Sequence, residues 1–262
     1  MKRIFLYSTF LIILGVGCQT FEFDSRPNFE LAIRTGIELK LQTELSPNIE
    51  YYEYSEIINN SEIGDDFLVI YKIKQSSVDI RFAHDKEMGS VIDWQLKTGA
   101  DIVVNGVYFH DDYLPSGKVI IDGQQVSDRQ FDFDKTAFIE FEPNFKITDT
   151  ALEQLNISEV KNGAQTYPFI FKHGEGAIKE DSALKARRSF MAADLAGNIY
   201  LGVIKKSDVS LFEMMNLLQD LEKWDNMVNL DGGPSSGIAS GYDRSVNSLT
   251  SIPNVILVKE KD

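Results

Sequence analysis

Met227-Val228-Asn229-Leu230-Asp231-Gly232-Gly233-Pro234-Ser235-Ser236-Gly237 reads as a buried strand that ends on a carboxylate and runs into a loop of glycines and hydroxyls. Glycines permit positive φ and bring backbone N–H groups close to a ligand, and hydroxyls add donors. Such a loop can hold an anion or a sugar oxygen beside Asp231; taken alone, it is equally an ordinary turn after a strand. Just upstream, Ser210 and Glu213 stand at capping-box spacing, and Leu211, Met214, Met215, Leu218 and Leu221 form one apolar stripe. The spacing predicts a helix from Ser210 that packs on the core and delivers the chain to this strand.

Working outward, alternating or β-branched runs predict strands at Ile37 to Gln42, Glu50 to Glu56, Phe67 to Lys74 and Val78 to Ala83, with turns at Asn59-Asn60-Ser61 and Gly64-Asp65-Asp66. A second helix is expected from Asp85, as N-cap, to Leu96, with Gly99 as its stop. Strands should follow at Asp101 to Val104, from Ala186 across the Gly197-Asn198 turn into Ile199 to Ile204, and at Asn254 to Lys259. Runs of strands with two separated helices predict an α+β class: a mixed, largely antiparallel sheet core with a few packed helices, in a single domain over residues 36–262.

Two further stretches can carry chemistry. In Val103-Val104-Asn105-Gly106-Val107-Tyr108-Phe109 a buried strand is interrupted by Asn-Gly, and an amide followed by two rings suits a sugar-binding edge as well as a hairpin turn. In Ala186-Arg187-Arg188-Ser189-Phe190 two arginines enter an apolar strand, where neighbours point to opposite faces. Arg188 is expected to face inward, its guanidinium fork matched to phosphate, the alternative being a surface ion pair. His84, His110 and His173 have no metal-ligand spacing. Asp111, beside His110 and Asp112, is a candidate pocket or cation-binding carboxylate or part of a solvated loop. Nucleophile-elbow, Walker and dinucleotide motifs are missing from the sequence.

Together these stretches resemble the phosphodiester glycosidase family, whose pattern runs Asn-Gly-Gly-Phe-Phe, Gly-Pro-aliphatic, Arg-Thr or Arg-Ser, and Asn-Leu-Asp-Gly-Gly-Gly-Ser-Ser. The matching residues are Asn105 to Phe109, Tyr167-Pro168-Phe169-Ile170, Arg188-Ser189 and Asn229 to Ser236, in the same order. The resemblance spans about residues 36–258. Val107 and Pro234 replace family glycines, and the Arg often found before the final Pro-Asn strand is absent. What it implies is a hydrolase of a sugar-1-phosphodiester or related glycosidic bond in an extracytoplasmic glycan. Asp231, Arg188 and Asn105 would be its catalytic residues, with Asn105 orienting sugar hydroxyls. Gly106, Tyr108, Phe109, Ser189, Gly232, Gly233, Ser235, Ser236 and Asp111 would bind substrate. No cofactor is implied, although Asp231 with Asp111 leaves a divalent cation open. The alternative is a noncatalytic, surface-tethered glycan-binding lipoprotein of the same fold, which Val107 and Pro234 favour.

Composition and the first residues bound partners and compartment. In the 262-residue chain, hydrophobic and charged fractions of 43% and 25% fit an ordinary globular core. The net charge of −14 argues against nucleic acid as a partner while leaving a single small phosphate acceptable. Lys2 and Arg3, the apolar run Ile4 to Val16, and small residues before Cys18, the one cysteine, read as a signal peptide over 1–17. Leu14-Gly15-Val16-Gly17-Cys18 resembles a bacterial lipobox, in which the cysteine is lipidated. Residues 18–35 would tether the domain to a membrane, placing it in the bacterial cell envelope.

Overall fold

The computed structural model describes residues 33–261 apart from 128, 130 and 132–135. The expected leader and most of the tether lie outside the described residues. From Ile33 onward the chain forms one compact unit, and its first strand begins at Arg34 rather than near Gly36.

Three sheets build it. An eight-stranded sheet has the order β1 (Arg34–Ser46), β2 (Ile49–Ile58), β3 (Glu62–Lys74), β14 (Asn198–Val209), β13 (Ala186–Asp194), β15 (Trp224–Asn229), β11 (Phe169–Lys172), β12 (Glu175–Gly176). A five-stranded sheet runs β7 (Gln124–Gln125), β6 (Val119–Ile121), β10 (Asn162–Thr166), β8 (Ala137–Glu142), β9 (Lys146–Asp149). A four-stranded sheet runs β16 (Ile238–Ser240), β5 (Ile102–Asn105), β17 (Ile252–Glu260), β4 (Val78–Gly89). The pairings are antiparallel throughout, and the α-helices among the described residues are α1 (Val91–Thr98) and α2 (Leu211–Leu218). The expected α+β class with a mixed sheet therefore becomes a mainly β fold of antiparallel sheets in which two short helices are accessories.

Alternation along the strands separates the cores. Met191, Leu201 and Val228 of the large sheet face Phe82, Val104 and Ile256 of the four-stranded sheet and Ile139 and Ala164 of the five-stranded one. Phe190, Ala192 and Met227, on the opposite face of the large sheet, pack under Met214 and Leu218 of α2. Val103, Val255 and Leu257 pack against Val91 and Trp94 of α1. The capping box foreseen at Ser210 and Glu213 is present, Glu213 N donating to Ser210 Oγ at 3.1 Å and Ser210 N to Glu213 Oε2 at 2.8 Å.

Helix α1 corrects the sequence reading. It starts at Ser90, which forms its own capping box with Asp93, because β4 runs on to Gly89 against β17 in the register His84 to Asn254. Asp85 thus lies in a strand; Gly99 ends the helix in the left-handed region, as expected. Gly64-Asp65-Asp66 likewise belongs to β3, the reversal being made at Asn59 and Asn60, whose φ values are 49° and 63°.

Candidate functional site

Residues 231–237 carry the chain from β15 in the large sheet to β16 in the four-stranded one, so the loop bridges the two sheets. Asn105, at the end of β5, clamps both ends of this crossing. Its Nδ2 donates to Asp231 O at 2.7 Å, its Oδ1 accepts from Gly237 N at 3.1 Å, and its own N–H donates to Gly237 O at 3.1 Å. Asp231 N donates to Gly106 O at 3.0 Å. Gly106 has no room for a side chain: a Cβ would lie 2.0 Å from Asn254 Oδ1.

Strand register brings Arg188 to the same place. Strand β13 pairs with β15 with Phe190 opposite Asn229, and Leu230 N donates to Ser189 O at 2.9 Å. The paired rows end there, and Arg188 is tied to the loop through Gly232 and Tyr108. Arg188 is 8% exposed, with Nε donating to Val209 O at 3.0 Å and Nη2 to Leu184 O. Its Nη1 faces Gly232, 3.6 Å from where a Cβ at that position would lie. Neither Arg188 nor the equally buried Arg187 pairs with a carboxylate among the described residues, which removes the surface ion pair as an alternative. Arg187 turns away to donate to Asn247 O at 3.2 Å.

Asp231 is half-buried, and that burial raises its carboxyl from the usual 3.8 to about 6, against hydrogen bonds from the Ser235 hydroxyl and Gly232 N–H that favour the anion. Tyr108 adjoins both charged groups: burial first, then the nearby Asp231, pushes its phenol up, while Arg188 pulls it down. Asn229 Nδ2 donates to the Tyr108 hydroxyl. The Tyr108 ring lies 5.0 Å from that of Tyr167, which lies 4.6 Å from Phe131. Among the expected site residues, Asp231, Arg188, Tyr108, Gly232 and Ser235 thus gather in one place.

Others are placed differently. Asn105 cannot orient sugar hydroxyls, because both ends of its amide are spent on backbone, so it is a positioning residue. Gly232 N–H serves the Asp231 carboxylate, leaving Gly233, at φ +61°, as the loop glycine open to a ligand. Ser189 and Ser236 are fully buried with unpartnered hydroxyls. Phe109 packs into the α1 cluster instead of joining Tyr108. Asp111 and His110 lie exposed on a turn, and Asp112 is held by both Nη atoms of Arg129, at 2.9 and 2.8 Å, so this acidic group is not brought to Asp231. Val107 points into the core.

The sequence reading overlooked Phe131 and gave Tyr167 and Asn229 no site role. Asn229 had a usable signal, since it is a polar residue two positions before Asp231 at the end of an apolar strand. Buried polar atoms without partners concentrate here as well: Arg187 Nε, Ser189 Oγ, Asn229 Oδ1, Ser236 Oγ and both amide atoms of Asn254. By contrast, an 810 Å³ cavity over β1 and β3 is lined by charges that already pair, Lys40 with Asp66 and Lys205 with Glu53.

Compared by sequence with curated proteins, the chain matches none. Solved structures share its fold. A hypothetical protein from Synechocystis superposes with a TM-score of 0.66 at 15% identity, over 86% of this chain and 64% of that one; this chain thus spans just under two thirds of that protein's length. The catalytic domain of zebrafish N-acetylglucosamine-1-phosphodiester alpha-N-acetylglucosaminidase, auto-inhibited by its pro-peptide, gives 0.63 at 14% identity, over 87% and 89%. A Burkholderia pseudomallei protein described as exported gives 0.57 at 9%, over 90% and 99%. The family model for phosphodiester glycosidase matches residues 98–259, a segment that holds Asn105, Arg188 and Asp231. More than half of the chain follows that model, and so the chain belongs to the phosphodiester glycosidase family.

Proposed function

We propose that this protein hydrolyses a sugar-1-phosphodiester or a related glycosidic bond in an extracytoplasmic glycan. Family membership supports a glycan-related hydrolase. The observation that carries the finer reading is the buried Arg188 guanidinium, without a carboxylate partner among the described residues, whose Nη1 faces Gly232, next in sequence to a carboxyl that burial raises to about 6. An uncompensated cation in a partly desolvated site favours an anion, and phosphate suits the planar fork. As the anomeric C–O bond breaks, the phosphate monoester leaves with the electron pair, stabilised by Arg188 and the Gly233 backbone. Water attacks the anomeric carbon and gives its proton to Asp231, which returns it to solvent.

Val107, one of the two features that favoured a noncatalytic module, belongs to the core, and Pro234 is exposed at the start of the short turn Gly233–Ser235. The test is sugar release from N-acetylglucosamine-1-phosphodiesters by the wild type, Asp231→Ala and Arg188→Ala. Turnover in the wild type and its loss in both variants is expected; a wild type that binds and releases nothing refutes the reading. We further place the protein at the cell envelope through lipid on Cys18. Membrane-extracted protein lacking a diacylglyceryl mass on that residue would refute the anchor.

A further inference from the structure

Away from Asp231, the three sheets meet around a second concave site. Strands β13 and β14 carry the large sheet from Arg188, opposite Ile204, to the Asp194–Asn198 turn, roughly 20 Å away at about 3.3 Å per residue. There a cavity of about 570 Å³ opens between β3 and β14 of the large sheet, β4 of the four-stranded sheet and the β8–β9 hairpin of the five-stranded one. That volume falls in the range of about 300 to 1,000 Å³ usual for small-ligand sites. Val78, Ile80, Phe141 and Ile199 form its floor, and all four belong to the main core, so the fold and not a ligand fixes its shape. Phe145, half-buried, packs on the same core with its ring 6.5 Å from that of Phe141.

The rim above this floor is polar and open. The Gln75 and Asn144 amides, the Lys74 ammonium and the Glu142 carboxylate have no hydrogen bond or ion pair among the described residues. Asn198 Nδ2 donates to Asp194 Oδ2 at 2.7 Å, which leaves its Oδ1 to a ligand. The larger cavity over β1 and β3, walled in part by Leu39 and Ile63, offers no amide, and its lysines already pair with carboxylates. Charge around the Asn198 cavity is balanced, Lys74 and Lys261 against Asp79 and Glu142, so a multiply charged ligand meets as much repulsion as attraction. An apolar ligand would desolvate the amides and leave them unpaired. Sugar hydroxyls donate and accept at once, as the amides do, and the C–H face of a pyranose suits an aromatic ring. We infer that this cavity is a second, noncatalytic binding site for a neutral oligosaccharide, whose hydroxyls pair with Gln75, Asn144 and Asn198 while one ring face lies on Phe145.

Isotope-labelled full-length protein tests this by amide NMR, titrated with maltotriose, mannotriose and N-acetylglucosamine trisaccharide, and with tripolyphosphate as a charged comparator. At least one trisaccharide should shift the signals of Gln75, Asn144, Phe145 and Asn198 saturably. In Gln75→Ala/Asn144→Ala, which removes two side chains that hold no other part of the fold, the affinity should fall at least tenfold with the melting temperature unchanged. No shift with any of the three sugars, or shifts confined to residues 231–235, overturns the second site. So does a cavity that takes tripolyphosphate and no sugar, or an affinity that survives the double variant. Binding rather than turnover is read, so a protein that hydrolyses no phosphodiester and still shows these shifts keeps the second site and loses only the proposed reaction.

Discussion

Replacing Asp231 by Asn should make the protein more stable and less active at the same pH. Asn keeps the shape and an oxygen that can accept from Ser235 and Gly232 N–H, and it removes the half-buried charge. The carboxyl titrates near 6 in the fold and near 3.8 when unperturbed, so between those values the folded state binds more protons than the unfolded one. The group therefore weighs nothing against folding below about pH 4. Its cost grows as the pH rises through 6 and levels off above. At 1.36 kcal/mol per pKa unit, a shift of about two units costs up to about 3 kcal/mol at pH 8. Carboxylates that shift downward, such as Asp66 beside Lys40 and Asp85 beside Lys97, titrate alike in both proteins and cancel in the difference. Urea unfolding of wild type and variant from pH 4 to 8 reads it directly. The Asn variant should gain nothing at pH 4 and roughly 2 to 3 kcal/mol at pH 8, while kcat falls at least a hundredfold. A stability difference that stays flat with pH, or grows toward acid, refutes the assignment of a raised carboxyl to Asp231.

Arg188→Met should lower kcat/KM by about a hundredfold or more and, by stranding Val209 O and Leu184 O, cost about 1 to 3 kcal/mol in denaturant titrations of the ligand-free protein. Asn105→Ala strands Asp231 O and Gly237 N–H, so it should cost about 2 to 4 kcal/mol in denaturant titrations, with activity falling through displacement of Asp231. Ser210→Ala removes the α2 cap, about 1 kcal/mol, and by loosening Val209 O should raise KM for the phosphodiester more than it lowers kcat. Gly106→Ala meets Asn254 Oδ1 and should destabilise by about 1 to 3 kcal/mol or fail to accumulate, judged by soluble yield and melting temperature. Turnover should be insensitive to chelator, since Asp111, the second carboxylate of a cation site with Asp231, lies exposed on a turn whose Asp112 is held by Arg129.

Much of the site was legible because its parts are local. Ser210 with Glu213 announced α2, apolar Met227 to Leu230 announced β15, and Asp231-Gly232-Gly233 announced the loop. Glycines also marked backbone crowding at Gly106, although what crowds it, Asn254, stands 148 residues away and has no local trace. The misplaced start of α1 has the same origin: Asp85 is a good cap by propensity, and only pairing with the last strand takes residues 85–89 into a sheet. The largely antiparallel character was foreseen, but the strand order was hidden for a similar reason, since partners such as β3 and β14 lie more than a hundred residues apart. The short strands between residues 119 and 176 carry too few alternations to announce themselves. Asn105 was misjudged because an amide offers the same donor and acceptor to backbone as to sugar, and only the crossing loop decides which it meets.

The arrangement of charge is what gives these residues a purpose beyond packing. Arg188 faces Gly232, and both it and Asp231 act on Tyr108, yet the two do not form an ion pair. Had they done so, the guanidinium would hold the carboxyl some one to three units below its normal value, whereas burial lifts it to about 6. Neutral partners keep the two apart: Val209 O and Leu184 O hold the guanidinium, Ser235 and Gly232 N–H the carboxylate. Each charge is thereby oriented without being neutralised, which costs stability that a simple ion pair would recover. On the function proposed above, a loop clamped at both ends by Asn105 holds the Asp231 carboxyl, and carbonyls hold the Arg188 guanidinium, so that both can meet the substrate.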